Sequence, residues 1–333
     1  MLNFELTFMD FLLEHQERHG RTYHFLILMN SLLNAAKRIQ HYYLTGALRG
    51  NLGLAGGVNV QGENTMKLDQ IANEVVKYYL SRSGRVIYAV SEEEEDLVPM
   101  NPDNGRYFVY FDPMDGSSNI PHNLPVGFLF GIAKRNIEGR EDGHLRAGEE
   151  YIAAGMFVIP TGTFTIALKE AGCWRFHIDE TMNYVKPTRL ELPADRKSWE
   201  LSFNSAHRDY FSEGVRDWIT KNEKKYQFRY LGALAGDFHR ILTNGGLFLY
   251  PGIVNHPDPK KNYPHGKLRL MYEAAVVSFM SREAGGSAVN EKGQPVLSIK
   301  PHHHHQRTAL YLGSKELVEE IAEVLKKQTQ NSR

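Results

Sequence analysis

Six short β-rich runs follow one another between residues 86 and 178: VIYAV (86–90), YFVYF (107–111), VGFLFGIA (126–133), YIAAGMFVI (151–159), FTIAL (164–168) and WRFHI (174–178). Runs of this length, rich in Val, Ile, Phe and Tyr and parted by turn residues such as the Pro-Thr-Gly at 160–162, read as the strands of one large sheet. A sheet this apolar needs helices to cover it. The preceding sequence supplies them. Within residues 6–45, Leu26, Met29, Leu32, Leu33 and Ala36 recur at spacings of three and four, with Lys37, Arg38 and Gln40 on the other side. Between Met66 and Ser81, Leu68, Ile71, Ala72, Val75, Val76 and Tyr79 form a second stripe, which Gly84 ends.

The second half alternates. Helical periodicity appears near 208–221, 233–244, 268–284 and 314–327, and strand-like runs near 200–204, 247–250 and 309–312. The polar, proline-bearing KPTRLELPADRKS (186–198) is the expected boundary, which divides the 333 residues into 1–193, with the large sheet, and 194–333, an α/β unit. The class is α/β, α+β layered.

Thirty-nine basic and 39 acidic residues cancel, so no global field draws the chain to nucleic acid or an anionic membrane. Any phosphate must be gripped locally. Cys173 is the single cysteine, which excludes an intrachain disulfide and a multi-cysteine zinc site and fits a reducing, cytoplasmic setting. The longest early apolar run, FLILM at 25–29, is far below the ~20 residues a membrane span needs. His302–His305 reads as part of a native, solvated loop, with metal binding the lesser alternative.

Two of the β-runs end in acids: VIYAV meets SEEEED, and YFVYF meets DPMDGSSN. The first run alone is what a solvated loop would carry. Asp112 and Asp115 say more, because a carboxylate closing an apolar strand is costly unless something positive neutralises it, and Pro113 is expected to make a turn aiming both one way. Oxygen ligands without cysteine select Mg²⁺ or Mn²⁺ over zinc. Gly116, Ser117, Ser118 and Asn119 follow directly and offer N–H groups and hydroxyls for a phosphate beside the metals. In HGKLRLMYEAAVVSFMSREAGG (265–286), Arg269 and Glu273 fall four apart on a helix that is apolar nearly all round. The pair is either a structural ion pair or a further metal ligand beside a phosphate-binding Lys267.

These residues together resemble class I fructose-1,6-bisphosphatases, among the metal-dependent sugar and inositol phosphatases. The likeness runs from Met29 to Gly313 through NVQGENTMKLDQIANE (59–74), SEEEED (91–96), YFDPMDGSSNI (110–120), ELSFNSAHRDYF (200–211), FRYLGALAGDFHR (228–240), GGLFLYP (245–251), GKLRLMYE (266–273) and REAGG (282–286). It implies a sugar-phosphatase fold of alternating helix and sheet layers in two subdomains. It also implies a hydrolase that removes the 1-phosphate of fructose-1,6-bisphosphate, with two or three Mg²⁺ or Mn²⁺ ions per site. Matched by motif, Glu92, Asp112, Asp115 and Glu273 stand as metal ligands with the Met114 carbonyl, and Glu63 stands where the family has a mobile-loop aspartate. Asp69 and Glu93 match the acids that orient or deprotonate the attacking water. Asp115, Gly116, Ser117 and Ser118 would cradle the departing phosphate. Asn204, Tyr230, Tyr250 and Lys267, with Arg269, would hold the sugar and its 6-phosphate. Arg229 matches an arginine that reaches a neighbouring subunit's site, which implies a homo-oligomer, typically a tetramer.

The chain also departs from the family. Tyr23, His24, Phe25 and Leu26 replace the loop that AMP-inhibited members carry, although Arg106, Tyr107 and Lys134 match the rest of that nucleotide site. The redox loop of chloroplast members cannot operate with Cys173 alone, and residues 255–265 form a longer segment than animal members have. Sedoheptulose-1,7-bisphosphatase shares the chemistry and most of these residues. A silent sugar-phosphate-binding protein is the alternative of another class, and the complete set of acids speaks against it.

Overall fold

Along the strand Tyr107–Asp115, Val109 and Phe111 enter one apolar cluster while Phe108 and Tyr110 enter another. That alternation requires cover on both faces of the sheet. The computed structural model of the chain describes residues 5–19, 22–51, 53–58, 64–135, 143–254 and 256–331. Its large sheet has eight strands in the order Tyr184–Leu190, Gly172–Ile178, Thr163–Leu168, Tyr151–Ile159, Val126–Lys134, Tyr107–Asp115, Val86–Ser91 and Val98–Pro99. All neighbours are antiparallel except Val86–Ser91 and Tyr107–Asp115, which run parallel and so bring both acid-bearing ends to the same edge.

One face is covered by the helices Phe8–His19, Tyr23–Leu44 and Lys67–Ser83, through Phe25, Met29, Leu32, Leu68, Ala72 and Val76. The helices Leu234–Asn244 and Ala275–Glu283 cover the other face with Phe238, Val276 and Phe279. The same helices pack on a second sheet, ordered Gln227–Phe228, Glu200–Ser202, Gly246–Tyr250, Leu310–Gly313 and Ser287–Val289. Its outer face, with Leu247, Leu249 and Tyr311, is closed by the helices Glu213–Asn222 and Lys315–Asn331 through Trp218, Ile219, Leu317 and Ile321. The layers thus run helix, sheet, helix, sheet, helix, as expected. No helix among the described residues is long and apolar enough to cross a membrane.

Three local expectations are corrected. The stretch 186–198 is partly a strand: Tyr184–Leu190 pairs at the sheet edge, where a register shift between Val185 and Thr188 accommodates Pro187. The helix expected over 268–284 begins later, because Leu268–Arg269 pairs with Thr308 and Arg307 as strands and residues Leu270–Ala274 form a π turn before Ala275–Glu283. Pro113 lies inside a strand, not in a turn.

Candidate active site

The carboxylates of Asp112 and Asp115 meet because the strand between them is irregular. Asp112 pairs with Leu129 and Asp115 with Gly127, so three steps on one strand face two on its neighbour. In a regular strand, residues three apart point to opposite faces; the extra residue of the bulge turns both the same way. Carboxylate oxygens of Asp112, Asp115 and Glu273 lie within 4.8 Å of one another, and all three residues are buried.

Each acid is held by backbone. Asp112 Oδ1 accepts the Met114 N–H (2.9 Å), and Asp115 Oδ2 accepts the Ala235 N–H (2.7 Å) at the start of the helix Leu234–Asn244. A helix start is a natural seat for a negative charge. Glu273 Oε2 accepts the Arg269 N–H (2.6 Å), while the Arg269 guanidinium stands 3.1 Å from Glu92 and 3.9 Å from Glu273. The expected Arg269–Glu273 pair is therefore present, but reached from a strand rather than along one helix face. Asp69 accepts the Met66 N–H at its own helix start (2.9 Å). The acid run after Val90 is only partly solvated: Ser91 is buried, Glu92, Glu93 and Glu94 are half-buried, and Glu95 and Asp96 are exposed. The Ser91 hydroxyl accepts the Glu93 N–H (3.2 Å) and donates to Asn73 (2.7 Å).

The cluster is under electrostatic strain. Burial, then the neighbouring Glu92, Asp115 and Glu273, pushes Asp112 well above the usual carboxylate range. Burial pushes Asp115 up to about 7, opposed by the Ala235 and Leu234 N–H groups, and Glu273 up to about 8, opposed by Arg269. Crowded buried carboxylates of this kind stay ionised when a cation joins them, and an all-oxygen donor set suits Mg²⁺ or Mn²⁺. The residues present fit such an ion.

A cleft of about 480 Å³ opens onto the cluster. It brings together Asp69, Glu92, Glu93, Asp112, Met114, Asp115, Gly116, Ser117, Ser118, Tyr230, Tyr250, Lys267, Arg269 and Glu273. Gly116 has φ +76, and a Cβ there would lie 2.4 Å from Ala233 Cβ, so the loop after Asp115 passes the Leu234 helix start only because it carries glycine. Asn204 and Arg229 are not in the cleft lining: Asn204 accepts the Ala206 N–H as a turn cap (3.1 Å), and Arg229 is exposed, donating to the Phe228 carbonyl (2.9 Å). Glu63 lies outside the described residues.

Asp237 was not anticipated. It is fully buried, lines the cleft and accepts the N–H groups of Leu231 (3.0 Å) and Gly232 (3.0 Å) and the Ser202 hydroxyl (2.9 Å), fixing the loop that carries Tyr230. An aspartate in the first turn of a predicted helix was the available signal, and it reads equally well as an ordinary dipole partner. The histidine run also departs from expectation. His302 and His303 are exposed, but His304 packs against His144 and His305 against Tyr272.

The profile "Fructose-1-6-bisphosphatase, N-terminal domain" matches residues 6–186, and "Fructose-1-6-bisphosphatase, C-terminal domain" matches 193–326. The chain is 66% identical over 329 residues to a Fructose-1,6-bisphosphatase class 1 of Syntrophus aciditrophicus, spanning 98% of this chain and 99% of that one. It is 34% identical over 330 residues to a Fructose-1,6-bisphosphatase of Kluyveromyces lactis, spanning 93% and 91%. The crystal structure of Leishmania major fructose-1,6-bisphosphatase in holo form superposes with a TM-score of 0.88 at 28% identity, over 98% of this chain and 100% of that one. With both halves matched in order and the layers and acid cluster in place, the chain belongs to the fructose-1,6-bisphosphatase family, class 1.

Proposed function

We infer that this chain removes the 1-phosphate of fructose-1,6-bisphosphate by metal-dependent hydrolysis, yielding fructose 6-phosphate and phosphate for gluconeogenic or Calvin-type carbon metabolism in the cytoplasm. The observation that carries this reading is the buried Asp112–Asp115–Glu273 cluster at the floor of a cleft whose wall is the Gly116–Ser118 loop. Asp112, Asp115 and Glu273, with Glu92 and the Met114 carbonyl, would hold two or three Mg²⁺ or Mn²⁺ ions. Bound there, the ions supply polarisation of the phosphate oxygens and acidification of water.

The chain's own groups do the rest. The backbone and hydroxyls of Gly116, Ser117 and Ser118 bind the phosphate beside the cluster. Asp69 and Glu93 orient the attacking water and accept its proton. Lys267, Tyr230 and Tyr250 seat the sugar and its distal phosphate, and Arg269 bridges Glu92 and Glu273 while contributing positive charge. Exposed Arg229 serves a neighbouring subunit of a tetramer. The two halves, 1–193 and 194–333, contribute the acids and the sugar-binding groups respectively, save Glu273.

Phosphate release from fructose-1,6-bisphosphate and sedoheptulose-1,7-bisphosphate, run side by side with Mg²⁺ and with EDTA, tests the reading. Release from the fructose ester that EDTA abolishes is expected. Faster release from the heptulose would move the substrate assignment, and binding of either ester without release would mark a silent protein.

A further inference from the structure

The segment Pro301–Thr308 is strapped along the residues that carry Arg269 and Glu273. Leu268 and Arg269 pair with Thr308 and Arg307, and the Leu270 N–H donates to the Gln306 carbonyl (2.7 Å). The strap closes on itself through the His302 N–H, which donates to Gln306 Oε1 (2.7 Å), and it is anchored at His304, whose Nε2 lies 2.6 Å from His144 Nε2. No third metal-binding side chain joins that histidine pair among the described residues, so its contact is a hydrogen bond that fixes the strap.

His305 makes a different connection. Its Nε2 lies 2.9 Å from the Glu94 carbonyl oxygen, and its Nδ1 lies 2.6 Å from the Tyr272 hydroxyl. A carbonyl oxygen only accepts, so Nε2 carries the hydrogen, and the Tyr272 hydroxyl donates to Nδ1. One neutral ring thereby spans two chain segments. Glu94 is two residues beyond Glu92, and its side chain is independently pinned by Asn73 Nδ2 (2.7 Å) and Lys77 Nζ (2.6 Å). Tyr272 is fully buried and adjoins Glu273. Those neighbours, Glu92 and Glu273, bear carboxylates that repel each other, with the Arg269 guanidinium reaching both.

We propose that His305 is a positioning residue for the metal centre, clamping the Glu92 arm to the Glu273 arm through the Glu94 carbonyl and the Tyr272 hydroxyl. The proposal rests on the functional reading above. Without the clamp, mutual repulsion lets the two arms spread in the metal-free protein, and every ion that binds must first draw them together. Polar groups that orient ligands from behind in this way typically govern metal affinity by ten-fold or more. Substrate affinity, set by Lys267, Tyr230 and Tyr250, is left alone.

The test is direct binding of Mn²⁺, without substrate, to the full-length wild type and to Tyr272→Phe, His305→Ala and the double variant, by calorimetry, with melting temperature read in parallel. Tyr272→Phe keeps the ring and removes only the hydroxyl, so it reports even if His305→Ala is poorly folded. Each single variant is expected to weaken Mn²⁺ binding about ten-fold. The double variant should be no worse than about two-fold beyond either, because both remove one connection. In steady state, the Mg²⁺ concentration for half-activation should rise with KM for the sugar unchanged. A lower melting temperature with unaltered Mn²⁺ affinity would reduce His305 to a structural residue and overturn the proposal, as would full additivity of the two variants. A wild type that binds no Mn²⁺ would overturn the functional reading itself.

Discussion

Asp112 occupies a place where its charge is most expensive. It is 1% exposed, it faces Asp115, Glu92 and Glu273, and the Met114 N–H is the donor the bulge turns toward it. Function has overridden stability at this residue. In EDTA at pH 8, Asp112→Asn, which keeps an oxygen for the Met114 N–H and removes the charge, should raise the melting temperature by roughly 1–2 °C, the shift made by ~1 kcal/mol in a chain of this size. The further rise that Mg²⁺ gives the wild type should vanish. A variant melting below the wild type in EDTA would contradict the strain described here. The acids themselves were legible in sequence, because an apolar run that stops at Asp112 has few structural uses. That Asp112 and Asp115 face the same way was expected, but from a turn at Pro113; the device is instead a bulge set by pairing with Leu129 and Gly127, which no local spacing reveals. The partners of His304 and His305 were equally hidden: His144 lies 160 residues away and Glu94 lies 211.

The helix Leu234–Asn244 shows how much one element can carry. Its start seats Asp115, its Asp237 holds the Tyr230 loop, and its apolar face joins the core between the two sheets. On the same helix, burial lowers His239 to about 4, with Arg175 and His177 adding to the shift, and its Nδ1 has no hydrogen-bond partner among the described residues. A histidine whose folded value lies below its unfolded one, near 6.5, costs nothing above pH 6.5. Below that the unfolded chain takes up a proton that the folded chain refuses, so stability falls between pH 6.5 and about 4. His239→Gln should flatten this limb. Melting curves of the two proteins across that range would converge as pH falls if the group is responsible; curves that stay parallel would clear it. Sequence periodicity located this helix, as it did the helices at 23–44 and 67–83, because their apolar stripes follow one period throughout. It missed the edge strand at 184–190, where Pro187 and alternating charges look like linker, and it placed the helix start at 268 because Leu268 and Arg269 continue the apolar pattern into a strand.

At the scale of the molecule, the helices Leu234–Asn244 and Ala275–Glu283 belong to both sheets at once. Phe279 is fully buried in a cluster that includes Tyr110 and Tyr151 of the large sheet and Phe248 and Leu312 of the small one. Phe279→Ala should therefore destabilise the protein by about 3–5 kcal/mol. Hydrogen exchange should show strands of both sheets losing protection together, and two separate unfolding steps would mean that the layers are more independent than their packing indicates. The layered order itself was visible in sequence, as strands followed by alternating helices and strands; the sharing of one middle layer was not, because it depends on contacts between distant segments. That arrangement has a consequence for biosynthesis. The acids of the cluster leave the ribosome far apart in time: Asp112 and Asp115 emerge early, Ala235 that seats Asp115 comes 120 residues later, and Glu273 and the strap follow. Until then the early acids stand in water without the partners that crowd them in the fold. Assembly of the acid cluster is thus a terminal event, which follows folding instead of guiding it.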